Sequence, residues 1–99
     1  MPRIMWLPDA LADVGRLHAF LYEKSPDAAA RAAKVILDGA GLLKSIPDVG
    51  RPMDDDTGRR ELVISFGAGT FVLRYMWDRH DTVVIIRVWH SKKKDHRFR

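Results

Sequence analysis

RELVISFGAGTFVLRYMWDRHDTVVIIRVWH, residues 60–90, decides the fold. Leu62, Ile64 and Phe66 alternate with Glu61, Val63 and Ser65, the period of a half-buried strand. Gly67-Ala68-Gly69-Thr70 reads as a hairpin loop. Phe71, Leu73, Tyr75 and Trp77 then share one side of a second strand, and Asp78-Arg79-His80-Asp81 turns the chain again. Val83, Val84, Ile85, Ile86 and Val88 make the third run apolar on both faces, which suits an interior strand. Strands are expected over 60–66, 71–77 and 82–90. Loops this short make them an antiparallel meander.

Working outward, the pattern before this block changes period from two to about 3.6. Ala10, Leu11, Val14, Leu17, His18 and Leu21 recur at three- and four-residue spacing, so a helix is expected over 9–24, with Asp9 as its N-cap. Asp13, Arg16 and Glu23 fall off that stripe. Gly15 weakens the helix but would let a second one approach closely. Ser25-Pro26-Asp27 supplies an N-cap, an N1 proline and a first-turn carboxylate for a second helix over 26–46. Its stripe of Ala29, Ala32, Ala33, Ile36, Ala40 and Leu43 is thin. Residues 46–52, with two prolines and a glycine, leave little room for regular structure. Residues 3–7 read as a short first strand. The order is therefore βααβββ, an α+β fold: an antiparallel sheet packed against an N-terminal α-helical hairpin, in a single domain over 1–99.

Composition narrows the function. The 99 residues contain no cysteine, which excludes a disulfide framework and a Cys-based zinc site. No apolar run approaches the ~18 residues of a membrane span, and no signal-peptide pattern opens the chain, so a cytoplasmic protein is expected. Residues 1–50 balance their charges, and the formal +4 equals the charge of residues 90–99. The segment 91–99 reads as a basic tail, suited to solubility, to an acidic partner or to nucleic acid. Asp54-Asp55-Asp56 reads as a solvated loop, with no second cluster to complete a metal shell. No cofactor is expected.

Arg74 and Arg87 interrupt apolar strands. They either reach solvent with buried stems or form a guanidinium cluster with Arg60 that would grip phosphate or carboxylate. His90 ends the last strand, where it is either structural or a general acid/base or phosphate contact. No nucleophile signature, Gly-rich phosphate loop or HExxH motif is present.

The order of short motifs goes further. Trp6-x-Pro8-x-Ala10-Leu11-x-Asp13, Ser25-Pro26-Asp27-Ala28-Ala29, residues 46–52, Arg60-Glu61-Leu62-Val63, Phe71-x-Leu73-x-Tyr75 and Ile86-Arg87-Val88-Trp89-His90-Ser91 resemble the RelE/ParE superfamily of type II toxin–antitoxin toxins. The resemblance implies a toxin neutralised by a cognate antitoxin with an acidic C-terminal segment. That partner would lie along the helical hairpin, with Leu17, Phe20, Leu21 and Tyr22 as anchors. RelE-like members cleave mRNA on the ribosome, and ParE-like members block DNA gyrase without nuclease activity. For a nuclease, the resemblance would assign catalysis to Arg60, Arg74, Arg87 and His90. Yet both tyrosines, Tyr22 and Tyr75, precede the last strand, and residues 45–53 hold only Arg51 as a base. The Trp6 motif and the Val-Trp-His end look more like ParE. Gyrase is thus the expected target, without catalytic residues and with Arg74, Arg87, His90, Lys92, Lys93 and Lys94 meeting it. The ribosome with its mRNA is the alternative target, and a non-toxic nucleic-acid-binding module the third reading.

Overall fold

In the computed structural model, which describes residues 1–92, the elements follow the expected order with one addition. They are β1 (Arg3–Trp6), α1 (Pro8–Lys24), α2 (Pro26–Ser45), β2 (Arg51–Pro52), β3 (Arg59–Phe66), β4 (Gly69–Trp77) and β5 (Thr82–Lys92). The five strands form one sheet in the order β1-β5-β4-β3-β2. Strands β2 to β5 pair antiparallel, but β1 runs parallel to β5, with Ile4 opposite Val83 and Trp6 opposite Ile85. The first strand therefore joins the sheet beside the last, and the helical hairpin crosses over one face.

Local chemistry explains the boundaries. Ser25 caps α2 as expected: its Oγ accepts the Ala28 N–H at 3.1 Å. The start of α1 differs. Pro8 occupies the first turn and Leu7 is the N-cap, with no side-chain bond, so Asp9 lies inside the helix. Proline's fixed φ suits that first turn, which moves the cap one residue upstream of any polar side chain. The first hairpin turns on Gly67 and Ala68 alone, with Phe66 opposite Gly69 and Gly67 at φ +60°. Strand β5 runs two residues past the expected end, so Ser91 and Lys92 belong to the sheet instead of a tail. Residues 51–52, expected to be irregular, form β2 against Glu61 and Arg60. Lys93, Lys94 and the remainder of the basic segment lie outside the described residues.

The core sits between the hairpin and one sheet face. Ala32, Ile36, Ala40 and Leu43 of α2 meet Leu73, Tyr75, Val83 and Ile85, all nearly inaccessible. The thin alanine face lets α2 lie close to the strands. A Cβ on Gly39 would collide with the Ile64 side chain, so α2 lies close against β3 at this glycine. Gly15 has nothing within 4 Å of where its Cβ would be, so it does not mediate the helix contact expected of it.

Candidate functional site

Strand β5 contains the irregularity that organises the polar residues. Arg74 lies opposite Arg87 and Tyr75 opposite Ile85, so Ile86 is an extra residue, a β-bulge. The bulge turns the Val88 N–H away from the β4 ladder. A buried amide needs a partner. Asp13, on α1, supplies it: Oδ2 accepts from Val88 N at 2.8 Å and from Arg87 Nε at 2.8 Å. Its Oδ1 accepts from Arg87 Nη2 at 3.0 Å and Arg16 Nη2 at 2.6 Å. The Asp13 side chain is only 6% exposed. Chiefly because Arg87 hydrogen-bonds it, the carboxyl titrates at about 2, against burial that would raise it. Asp13 falls off the apolar stripe of α1, yet it is among the most buried residues of that helix. No local signal could have found it, since its partners lie 74 and 75 residues away.

A second brace holds the loop between α2 and β2. The Tyr75 hydroxyl donates to the Pro47 carbonyl at 2.8 Å and accepts the Gly50 N–H at 2.9 Å. Burial pushes this phenol's pKa up. Arg60 Nη1 donates to the carbonyls of Asp48 and Gly50 at 3.0 and 2.7 Å. A Cβ on Gly50 would lie 2.7 Å from the Tyr75 ring and 2.9 Å from the Glu61 carbonyl, so only glycine admits this packing.

The face of the sheet away from the helices carries the third group. Arg74 donates to Glu61 Oε2 through Nε and Nη2, at 3.1 and 2.7 Å. Its guanidinium lies 4.9 Å from the Trp89 ring centroid, an arrangement that favours a cation over the π-face.

The candidate arginines therefore divide. Arg60 binds backbone carbonyls, Arg74 binds Glu61 and Trp89, and Arg87 binds Asp13. They do not converge into one guanidinium cluster. His90 is exposed and meets the edge of Phe71 at 5.3 Å between ring centroids. It lines an apolar groove of about 220 Å³ with Leu17, Phe20, Leu21, Phe66 and Phe71. Three expected antitoxin anchors and one expected target-binding residue thus share one groove. Tyr22 stands apart, stacked on His18 at 5.8 Å. Nothing is described of the Lys92 side chain, or of Lys93 and Lys94. Asp55 accepts from the Thr57 hydroxyl at 2.7 Å and from Arg59 at 3.2 Å, ordering a turn. Among the described residues no group of three or more His, Cys, Asp or Glu side chains is placed to hold a metal. No helix among them is long and apolar enough to cross a membrane.

Fold and polar clusters define a small α+β domain whose charged residues brace the framework and whose apolar residues leave grooves open. Residues 4–94 match the family described as ParE toxin of type II toxin-antitoxin system, parDE. Toxin RelE3 of Caulobacter vibrioides is 39% identical over 87 residues, covering 88% of this chain and 91% of that protein. Toxin RelE1 of the same organism is 35% identical over 82 residues, covering 83% and 85%. A solved structure titled "Chromosomal ParDE TA system from P. aeruginosa" superposes with a TM-score of 0.74 at 20% identity, over 93% of this chain and 98% of that one. The chain belongs to the ParE toxin family of the RelE/ParE superfamily.

Proposed function

We propose that this toxin acts on DNA gyrase and is neutralised by a cognate antitoxin whose acidic segment binds it. One observation carries the preference for a protein target over RNA cleavage. Each arginine that a RelE-like mechanism would direct at the scissile phosphate is already engaged within the fold. Transition-state stabilisation needs donors preorganised toward the reacting oxygens, and donors committed to carbonyls and carboxylates are not. The lack of a tyrosine after Tyr75 supports the same reading. On this reading Leu17, Phe20 and Leu21 anchor the antitoxin on α1, with Tyr22 further round the helix. Arg74 and Arg87, held in place by Glu61 and Asp13 but still partly exposed, meet the target together with His90 and the lysines 92–94.

Purified toxin should inhibit gyrase supercoiling or trap cleaved DNA, and the antitoxin should reverse it. Normal supercoiling at saturating toxin would overturn this reading. The RelE names of the two Caulobacter relatives favour a second one, mRNA cleavage on translating ribosomes with Arg60, Arg74, Arg87 and His90 in the site. That reading requires codon-positioned cuts that are lost in His90→Ala. A message left intact in that assay excludes it.

A further inference from the structure

Gly15 is a residue that the fold leaves unexplained. Glycine inside a helix weakens it, yet Gly15 has no positive φ that would require it. Nothing lies within 4 Å of where its Cβ would be. Gly39 and Gly50 differ, because Ile64 and Tyr75 occupy the space their side chains would need. The missing side chain at position 15 therefore serves no contact among the described residues.

Gly15 lines an apolar groove of about 430 Å³ along the helical hairpin. Leu11 and His18 of α1 and Ala33 and Leu37 of α2 line it too, and no Asp, Glu, Lys or Arg does so among the described residues. Leu11 is 57% exposed and Leu37 60%, so both stand out into water beside the recess that Gly15 leaves. Tyr22, stacked on His18, continues this face by one helical turn. The groove shares no residue with the one that Leu17, Phe20, Leu21 and His90 line. Contiguous apolar surface of this kind marks an interaction site.

Charge and shape select the occupant. Residues 8–45 hold five Lys or Arg and five Asp or Glu, so the hairpin is neutral and the formal +4 arises after residue 50. Asp13 pairs with Arg16, Asp27 with Arg31 and Lys34 with Asp38, all within the hairpin. Such a face neither attracts a charged segment nor repels its own copy. A twofold interface needs a patch that complements itself. This one has both parts, the projecting Leu37 and the recess at Gly15. We propose that two copies of the chain pair hairpin to hairpin about a twofold axis, with Leu37 of each copy seated over Gly15 of the other. Helices of 17 and 20 residues at ordinary spacing give a footprint of roughly 500–600 Å² per copy, the size of a reversible association. The pairing does not depend on which target the toxin has.

Sedimentation equilibrium of the full-length chain over about 1–500 μM tests this. The mass should rise from one chain to two, with a dissociation constant in the micromolar range. Leu37→Glu, at an exposed position of the single chain, should leave the urea midpoint unchanged. It should weaken pairing at least about a hundredfold, because the pair would bury two like charges. Gly15→Ala separates fold from interface. It should raise the urea midpoint of the dilute single chain yet weaken pairing about tenfold or more, since the methyl fills the recess. Val63→Glu, on the strand face away from the helices, should leave pairing as it is. A chain that stays single throughout, or a pair indifferent to Leu37→Glu and Gly15→Ala, overturns the proposal. So does a pair broken by Val63→Glu alone, which places the contact on the sheet. A single chain whose antitoxin complex is weakened by Leu37→Glu assigns the groove to the antitoxin and overturns the second copy.

Discussion

Asp13→Asn tests the brace between α1 and β5. The substitution keeps the shape and leaves one oxygen to accept the Val88 N–H, but removes the charge that Arg87 and Arg16 bind. The carboxyl titrates at about 2 in the fold against an ordinary 3.8. At about 1.4 kcal/mol per pKa unit this is about 2.5 kcal/mol favouring the charged folded form. The native value lies below the unfolded one. The stabilisation is therefore complete above pH ~4 and is lost as pH falls through about 2. Urea denaturation at pH 7 should show Asp13→Asn less stable by about 2 kcal/mol, a loss of about 10 °C in Tm for a chain this size. Asp13→Ala should cost about 1–3 kcal/mol more, because it also strands the Val88 N–H. The difference between wild type and Asp13→Asn should narrow as pH is lowered from 5. Other carboxylates also titrate there, so the difference curve is the quantity to read. Equal stability at pH 7 within ~0.5 kcal/mol, or a difference independent of pH, would refute the reasoning.

Three further outcomes follow from the geometry. Gly15→Ala should stabilise the protein by up to about 1 kcal/mol in the same urea assay, since the helix gains a better former and nothing lies within 4 Å of the new methyl. Gly50→Ala should cost about 1–3 kcal/mol, because the methyl meets the Tyr75 ring and the Glu61 carbonyl; a neutral result would mean the loop is not packed as described. A chain ending at His90 should melt lower than one ending at Lys92, because the first loses the pairing of Ser91 with Thr70 and of Lys92 with Gly69; equal melting temperatures would place the end of β5 at His90.

Much of this architecture can be read from side-chain periodicity. The alternation at Leu62, Ile64 and Phe66, the set Phe71, Leu73, Tyr75 and Trp77, and the Ser25-Pro26 cap all correspond to what formed, because each is decided within a few residues. What escaped depends on distant chemistry. The bulge at Ile86 looks like any β-branched residue in an apolar run, and only pairing with β4 reveals it. Asp13 is buried because that bulge frees an amide on the opposite end of the chain. A helical wheel has no means of representing such a demand. The antiparallel expectation failed only at β1, whose direction is set by the hairpin that follows it. Arg60, Arg74 and Arg87 were visible as strand arginines. Their separation into three environments depends on Gly50, Glu61 and Asp13 and needed register, which alternation alone cannot supply.

Among the described strands β5 is made last, yet it lies between β1 and β4. Chains grow from the N-terminus, and domains fold as units. Until residues 82–92 have emerged, β1 has no strand to pair with and Asp13 has no amide to bind. A message cut or abandoned before that point yields a chain that cannot close its sheet. The two ends of the described chain are thus closed by one and the same event, the arrival of β5.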